Sequence, residues 1–259
     1  MKVPTLTYYN MPPHVTAFST TRLGGYSHGA YGEFNINRYC GDDEKSIEKN
    51  TEALCTLLKI SQDRIIMPHQ THGNEVRLIA PDFLALPAAT RGMLLEDVDA
   101  LITDVRGICI GVSTADCIPV ILYDPEHHAA AAVHAGWRGT VSSIAVKAVD
   151  SMRLSYGSRS EALTAVIGPG ISLDAFEVGD EVYNEFASAG FDMQAISRRK
   201  DKWHIDLKEC NRIQLTSVGL SNDNITISPI CTYANTGKYF SARKLGPMSG
   251  RIFTGVIIE

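Results

Sequence analysis

The sequence predicts a single α/β domain over residues 1–259, and three observations carry that expectation. Two apolar runs, Ile118–Tyr123 and Ala129–His134, read as adjacent buried strands. Segments 44–59 and 139–156 repeat their apolar residues at helical spacing. No Ser/Gly linker, internal repeat or low-complexity tract divides the 259 residues, a length that one core can serve.

In chain order, residues 16–22 (TAFSTTR) alternate faces and read as a strand. Leu23-Gly24-Gly25-Tyr26-Ser27 then turns. A glycine turn beside Arg22 can hold an anion on its backbone N–H groups, but an ordinary glycine turn is the better reading. Asn35 and Asn37 flank Ile36 in a polar stretch leading to Gly41-Asp42-Asp43. Asp42 or Asp43 caps a helix over 44–59, in which Ile47, Leu54 and Leu58 share a face. Ile65-Ile66 enters a short strand, and Pro68-His69-Gln70-Thr71-His72-Gly73 follows. Its two histidines are a functional pair or an exposed loop. Residues 82–97, with Pro87 and Gly92, read as a loop or irregular segment. Asp97, Asp99 and Asp104 bracket a strand, and its carboxylates read as solvated turn residues rather than an acid/base pair.

Residues 108–113 form a further strand and 113–117 a turn, in which Asp116 orients a ligand or caps. Pro125 and Glu126 turn the hairpin between the two apolar runs. His127 and His128 lie at its tip, at the far end from Cys117 and His134, and are assigned to solvent. Thr140 is the expected N-cap of a helix reaching Tyr156, with Val141, Ile144, Ala145, Ala148, Val149 and Met152 as its apolar stripe and Gly157 as its stop. The positive end of that helix faces the Gly136–Gly139 loop and favours an anion there. Leu163–Ile167 reads as a buried strand and Gly168-Pro169-Gly170 as a tight turn. Val178, Val182 and Phe186 mark a helix ending near Gly190. Asp206 and Glu209 form a capping box for a helix to Gly219. Residues 225–228, 239–241 and 251–258 read as closing strands.

The net charge of −5 argues against a general nucleic-acid binder, because phosphate contacts need clustered Lys and Arg. The cluster Arg198-Arg199-Lys200 with Lys202 reads as a solvated loop. No run reaches the ~18 apolar residues of a membrane span, and the first fifteen residues lack the apolar core of a signal peptide. The expected location is therefore cytoplasmic. The six cysteines (40, 55, 109, 117, 210 and 231) show no CxxC spacing and are expected as free thiols, with Cys55, Cys109 and Cys210 in the core.

Cys117 opens one apolar run and His134 closes the other. A thiol and an imidazole at facing strand ends can form a metal pair or a nucleophile–base pair. His72 is the available third donor, and zinc or copper suits such a set. No short-spacing zinc motif is present, so on pattern alone a buried cysteine with two hydrogen-bonded histidines is the slightly better reading.

The segments FSTTRLGGYS, QTHG, DVDALIT, STADCIPVILYDP, AAVHAGWRGT, IGPGI, CTY, YFSARK and the late GRI, in that order, resemble the YfiH family, also called the multicopper polyphenol oxidase or laccase-domain family. The resemblance implies a four-layer α-β-β-α sandwich of mixed sheets, shared with cytotoxic-necrotizing-factor-like toxin deamidases. It implies zinc, with copper as the rival, held by His72, Cys117 and His134. It also implies phosphorolysis of adenosine, inosine and methylthioadenosine, with adenosine deamination beside it. Arg22 and, more remotely, Arg243 would contact phosphate or substrate; His69, three residues before His72, is on that proximity the candidate to move a proton. The chain departs from the family at Thr71, where a small apolar residue is frequent, and at Gly170, where a cysteine is frequent. The rival readings are a Cys–His hydrolase editing L-serine-containing peptidoglycan precursors, a copper-dependent polyphenol oxidase and a non-enzymatic binding module. The expected partners are a purine nucleoside and phosphate, with neither nucleic acid nor membrane. A monomer and a homodimer are both open.

Overall fold

A computed structural model describes residues 2–259. β1 (Leu6–Tyr8) pairs antiparallel with β2 (Val15–Thr20). α1 (Glu44–Leu58) starts at Asp43, whose carboxylate accepts the Ser46 N–H, and stops at Lys59 in the left-handed conformation. β3 (Ile65–Ile66), β4 (Val76–Leu78), α2 (Ala88–Leu94), β5 (Ala100–Thr103) and β6 (Cys109–Thr114) lead to the hairpin of β7 (Ile118–Asp124) and β8 (Ala129–Ala135). α3 (Trp137–Val141), α4 (Ile144–Tyr156) and β9 (Thr164–Ile167) come next. β10 (Glu177–Val178), α5 (Asp180–Ser188), α6 (Met193–Ile196), β11 (Ser197–Arg199), β12 (Trp203–Ile205) and α7 (Leu207–Ser217) follow. β13 (Ile225–Ile227), α8 (Ala242–Leu245) and β14 (Ile252–Ile258) complete the order.

The strands form two large mixed sheets, ordered β1-β2-β14-β6-β3 and β13-β9-β7-β8-β5-β4, with β10-β12-β11 as a small third. The expected four layers follow from which faces are apolar. Ile110, Val112, Val256 and Ile258 of the first sheet meet Leu101, Ile121, Tyr123, Ala130 and Ala132 of the second. On the outside of the second sheet, Val120, Leu122, Ala131 and Val133 pack on Ile144, Ala148 and Met152 of α4 and on Leu207, Cys210 and Leu215 of α7. On the outside of the first, Phe18, Cys109, Phe253 and Ile257 pack on Leu54 of α1. β7 and β8 are thus buried on both faces, so their sequences are continuous apolar runs instead of alternating ones.

Several elements differ from the sequence expectation. Segment 82–97 is ordered, as a 3-10 turn over Pro81–Ala85 followed by α2. The helix expected over 139–156 is two helices, broken where Ser143 takes φ 58°. Thr140 is therefore inside α3 and caps nothing, because α7 imposes the break. Gln214 Nε2 of α7 donates to the Thr140 carbonyl (2.8 Å) and to Ser143 Oγ (3.2 Å), and Asn211 Nδ2 donates to Thr140 Oγ1 (3.2 Å). Residues 239–241 form no strand. Tyr239 and Phe240 are buried, and Ser241 caps α8. Arg198 and Arg199 lie on strand β11, with Arg199 over the Trp203 ring. Asp206 does cap α7, but Glu209 pairs with Arg212 instead of closing the box. Among the described residues no helix is long and apolar enough to cross a membrane.

Leu54 is fully buried and anchors α1 to the first sheet. Leu54→Ala is expected to cost ~2–5 kcal/mol, through lost transfer energy and a residual cavity. Guanidinium unfolding checks this as a lower midpoint at unchanged slope.

Candidate metal centre and cleft

The β7–β8 register brings the thiol and one imidazole together. Pro119 lies opposite His134 and Ile118 opposite Ala135, so Cys117, just before β7, falls beside the end of β8. His72 arrives from the loop after β3. The ligand atoms of His72, Cys117 and His134 all lie within 4.8 Å of one another. The two imidazoles meet edge to face, with centroids 4.9 Å apart at 76°.

Asp99 holds this arrangement. Its carboxylate is fully buried and accepts the backbone N–H groups of Thr71 (3.3 Å), His72 (3.2 Å) and Gly73 (2.7 Å). His72 takes φ 65° as the backbone turns these groups towards one anion. The carboxylate also lies 2.6 Å from His134 Nδ1, and the Asp99 carbonyl accepts the His134 N–H at 2.8 Å. Nδ1 is thereby committed to Asp99, which leaves Nε2 as the ligating nitrogen. Gln70 pins the same loop to β6, donating to the Ser113 carbonyl (2.9 Å) and accepting its N–H (2.7 Å). Asp116, beside the thiol, accepts from the Thr232 hydroxyl (2.7 Å) and the Arg243 N–H (2.8 Å), so it ties the turn to the late segments of the chain.

The charges follow from this packing. Burial pushes the Cys117 thiol up, but the His134 and His72 imidazoles outweigh it and bring it down to about 6. Burial pulls His134 down, but the Cys117 thiolate and the Asp99 carboxylate carry it up to about 9. Burial likewise raises Asp99, yet His134 and the Gly73 and Thr71 N–H groups hold it below the usual carboxylate range. At neutral pH the trio is thiolate, imidazolium and carboxylate. A thiolate and two imidazoles would suit a borderline-soft cation such as zinc or copper. Gly136 keeps the space beside the three donors clear, because a Cβ there would stand 3.0 Å from Cys117 Sγ, 3.3 Å from His72 Cδ2 and 3.8 Å from His134 Cε1. The backbone at Gly136 has φ −68°, open to any residue, so space is what calls for glycine.

The three donors form part of the wall of a cleft of about 380 Å³. Tyr39 and His69 make an aromatic shelf in it, stacked with centroids 4.0 Å apart at 17°. His69 Nδ1 pairs with Glu96, leaving Nε2 as the uncommitted ring nitrogen. Of the residues expected at the site, His69 joins the three donors in the cleft, whereas neither arginine does. Arg22 donates to the carbonyls of Gly32 (2.8 Å) and Thr236 (2.7 Å) and lies over the Phe240 ring, so its guanidinium is used to tie loops together. Arg243 donates to the Glu177 carbonyl at 3.0 Å. His127 is exposed as expected and pairs with the buried Asp124 at 2.8 Å, and Glu126 pairs with Arg159.

Sequence reasoning missed Asp99, Tyr39, Asn37 and Arg251. Asp99 stood in the quoted DVDALIT segment, and the signal was its position at the mouth of an apolar strand, where a carboxylate must be buried and paired. Tyr39, Asn37 and Arg251 carry no local signal of this kind.

A profile of the multi-copper polyphenol oxidoreductase laccase family matches residues 16–259. A purine nucleoside phosphorylase of Bacteroides thetaiotaomicron is 43% identical over 249 residues, covering 95% of this chain and 92% of that protein. An adenosine deaminase from an unknown prokaryotic organism is 42% identical over 245 residues, 93% of either chain. The crystal structure of a hypothetical protein YfiH from Bacillus licheniformis superposes with a TM-score of 0.92 at 29% identity, covering 99% of this chain and 97% of that one.

Two outcomes are expected of this geometry. Asp99→Asn lowers the affinity for a divalent ion about 10–100-fold, since the partner that orients His134 is lost, and a chelator-competition titration reads it. Metal affinity also rises with pH. The thiol is ionised above about 6 and His134 stays protonated to about 9, so between these values each bound ion displaces one proton from His134. The slope is then about tenfold per pH unit, and proton release measured calorimetrically in two buffers checks it.

Proposed function

The chain belongs to the multi-copper polyphenol oxidoreductase laccase family, and from that premise we propose that it is a zinc-dependent purine nucleoside phosphorylase acting on adenosine, inosine and methylthioadenosine, with adenosine deamination as a second activity. The observation that carries this reading is the convergence of His72, Cys117 and His134 on one cleft whose wall includes the flat Tyr39–His69 shelf. The relatives named as a phosphorylase and as a deaminase support it, each over more than nine-tenths of the chain.

His72, Cys117 and His134 would hold the zinc. When bound, zinc would supply Lewis acidity to a substrate or water in the cleft. Asp99 keeps His134 in the tautomer that presents Nε2 and fixes the turn bearing His72. The Tyr39 face offers a stacking surface for a purine ring. Stacking is indifferent to the substituent at C6 and to the ribose 5′ position, which suits a range that includes adenosine, inosine and methylthioadenosine. His69, with Nδ1 held by Glu96, can move a proton to or from the purine through Nε2. Phosphorolysis joins a phosphate oxygen to C1′ and breaks the C1′–N9 bond, and deamination replaces the C6 amine with oxygen from water.

A second reading has a specific observation in its favour. Cys117, His134 and Asp99 also stand as nucleophile, base and orienting carboxylate, which suits a hydrolase cleaving the amide to L-serine in a peptidoglycan precursor. His72 weighs against it, because a third donor at the thiol is needed for a metal and not for such a triad. A copper polyphenol oxidase draws on the family's name. The three donors form one mononuclear cluster, whereas multicopper oxidation needs several coppers with many more histidines than this chain's eight can place there.

Cys117→Ala is expected to lose both its metal and its turnover of adenosine, read by elemental analysis and by chromatography of products. With the parent protein, adenine that forms only when phosphate is added reports phosphorolysis, and inosine reports deamination. Full turnover by Cys117→Ala would sink the site assignment. Alkylation of Cys117 that proceeds equally in the presence of zinc, with loss of a muropeptide amidase activity, would favour the hydrolase.

A further inference from the structure

Among the described residues of the cleft wall, Arg251 is the one with a permanent positive charge, and none of them is a carboxylate. It stands immediately before β14, half-buried. Its guanidinium is anchored by backbone carbonyls. Nη1 donates to the carbonyls of Ser249 (2.6 Å) and Gly250 (3.0 Å), and Nη2 donates to that of Pro247 (3.0 Å). Its backbone N–H donates to Asn35 Oδ1 at 3.1 Å. A guanidinium has five N–H donors in a rigid fork. Nε and the second Nη2 hydrogen have no protein acceptor among the described residues, and the group forms no ion pair there. Its field reaches the cleft wall: burial pushes the Cys40 thiol up, and the Arg251 charge is the largest influence pulling it back.

Asn37 adds a donor on the same wall. Its side-chain oxygen accepts the Tyr39 N–H at 2.7 Å, and its amide nitrogen has no partner among the described residues. Segment 35–37 abuts Arg251 through the Asn35 contact. A pre-positioned guanidinium with free N–H groups, a free amide and no counter-carboxylate together match an oxyanion. A neutral nucleoside brings no such charge.

We propose that Arg251, with the Asn37 amide, is the phosphate subsite of the cleft and binds the inorganic phosphate that attacks C1′ of the nucleoside. This inference rests on the phosphorylase reading above and replaces Arg22 and Arg243 in that role. Hydrogen phosphate gives one oxygen to C1′, and the C1′–N9 bond breaks with its electron pair going to the purine. The phosphate proton ends on the purine ring, so the products are free base and ribose 1-phosphate with no change of oxidation state. Arg251 neutralises phosphate charge and aims the attacking oxygen. Deamination uses water and makes no call on this subsite, so the two reactions part company at Arg251.

The test uses the metal-loaded full chain with adenosine and inorganic phosphate, quantifying adenine and inosine. Arg251→Met is expected to raise KM for phosphate about ten- to a hundred-fold, the loss of a charge-assisted contact, with a far smaller change in KM for adenosine. The ratio of adenine to inosine at fixed phosphate falls with it. Asn37→Asp leaves the anchors of Arg251 in place, and its added carboxylate shifts KM for phosphate in the same direction. An unchanged KM for phosphate in an active Arg251→Met, or equal rises in both KM values with no response in Asn37→Asp, overturns the assignment. AMP serves as the second arm. If the parent consumes AMP in preference to adenosine and Arg251→Met abolishes that preference, the guanidinium reads a nucleotide's own phosphate and the co-substrate assignment falls. A parent protein that makes no adenine with phosphate overturns the phosphorylase reading itself, and this inference with it.

Discussion

The buried Asp99 carboxylate carries the local geometry of the site. Burying an anion is costly unless its lone pairs are met. Here three successive backbone N–H groups and the His134 ring meet them. The same contacts fix two donors at once, because the N–H groups belong to the turn bearing His72 and the ring is the second donor. They also bridge the layers. The turn follows β3 of the first sheet, whereas Asp99 precedes β5 and His134 lies in β8, both of the second. Removing one carboxylate would therefore loosen a loop, an imidazole and the join between two sheets.

The β7–β8 hairpin supplies the rest of the precision. Ala131, Val133 and Ala135 face the helices, whereas Ala130 and Ala132 face the other sheet. His134 takes the parity of the second set. A slip of one residue would turn the imidazole into the helix interface and leave an apolar side chain at the thiol. Burial on both faces excludes that slip, so the packing that stabilises the hairpin also aligns Cys117 with His134.

What was legible in the sequence was local. Asp43 and the spacing of Ile47, Leu54 and Leu58 specify α1 within a few residues, and the apolar runs mark β7 and β8. The break between α3 and α4 was not legible, because Gln214, 74 residues away in α7, holds the Thr140 carbonyl. Arg22 and Arg251 make the same point. Both stand beside glycine-containing turns, but the Arg22 guanidinium is held between loops by Gly32 and the distant Thr236, whereas that of Arg251 is held by its neighbours Pro247, Ser249 and Gly250 and fronts the cleft only because distant segments assemble the wall around it.

By itself the sequence determined the layers that local periodicity can encode, and the donor types available for chemistry. It set a thiol and an imidazole at the ends of two apolar runs, and a pair of histidines three apart in a loop. Only the tertiary structure decided that His72 meets that thiol, that Asp99 is a buried hydrogen-bond hub and not a solvated turn residue, and that Arg251 is the cation in the cleft. The physical reason is separation along the chain. A helix or strand is specified by neighbours within a few residues, whereas the site is assembled from segments near 37–40, 69–73, 99, 117, 134–136 and 251. Their meeting is fixed by strand register and by the packing of one sheet on another.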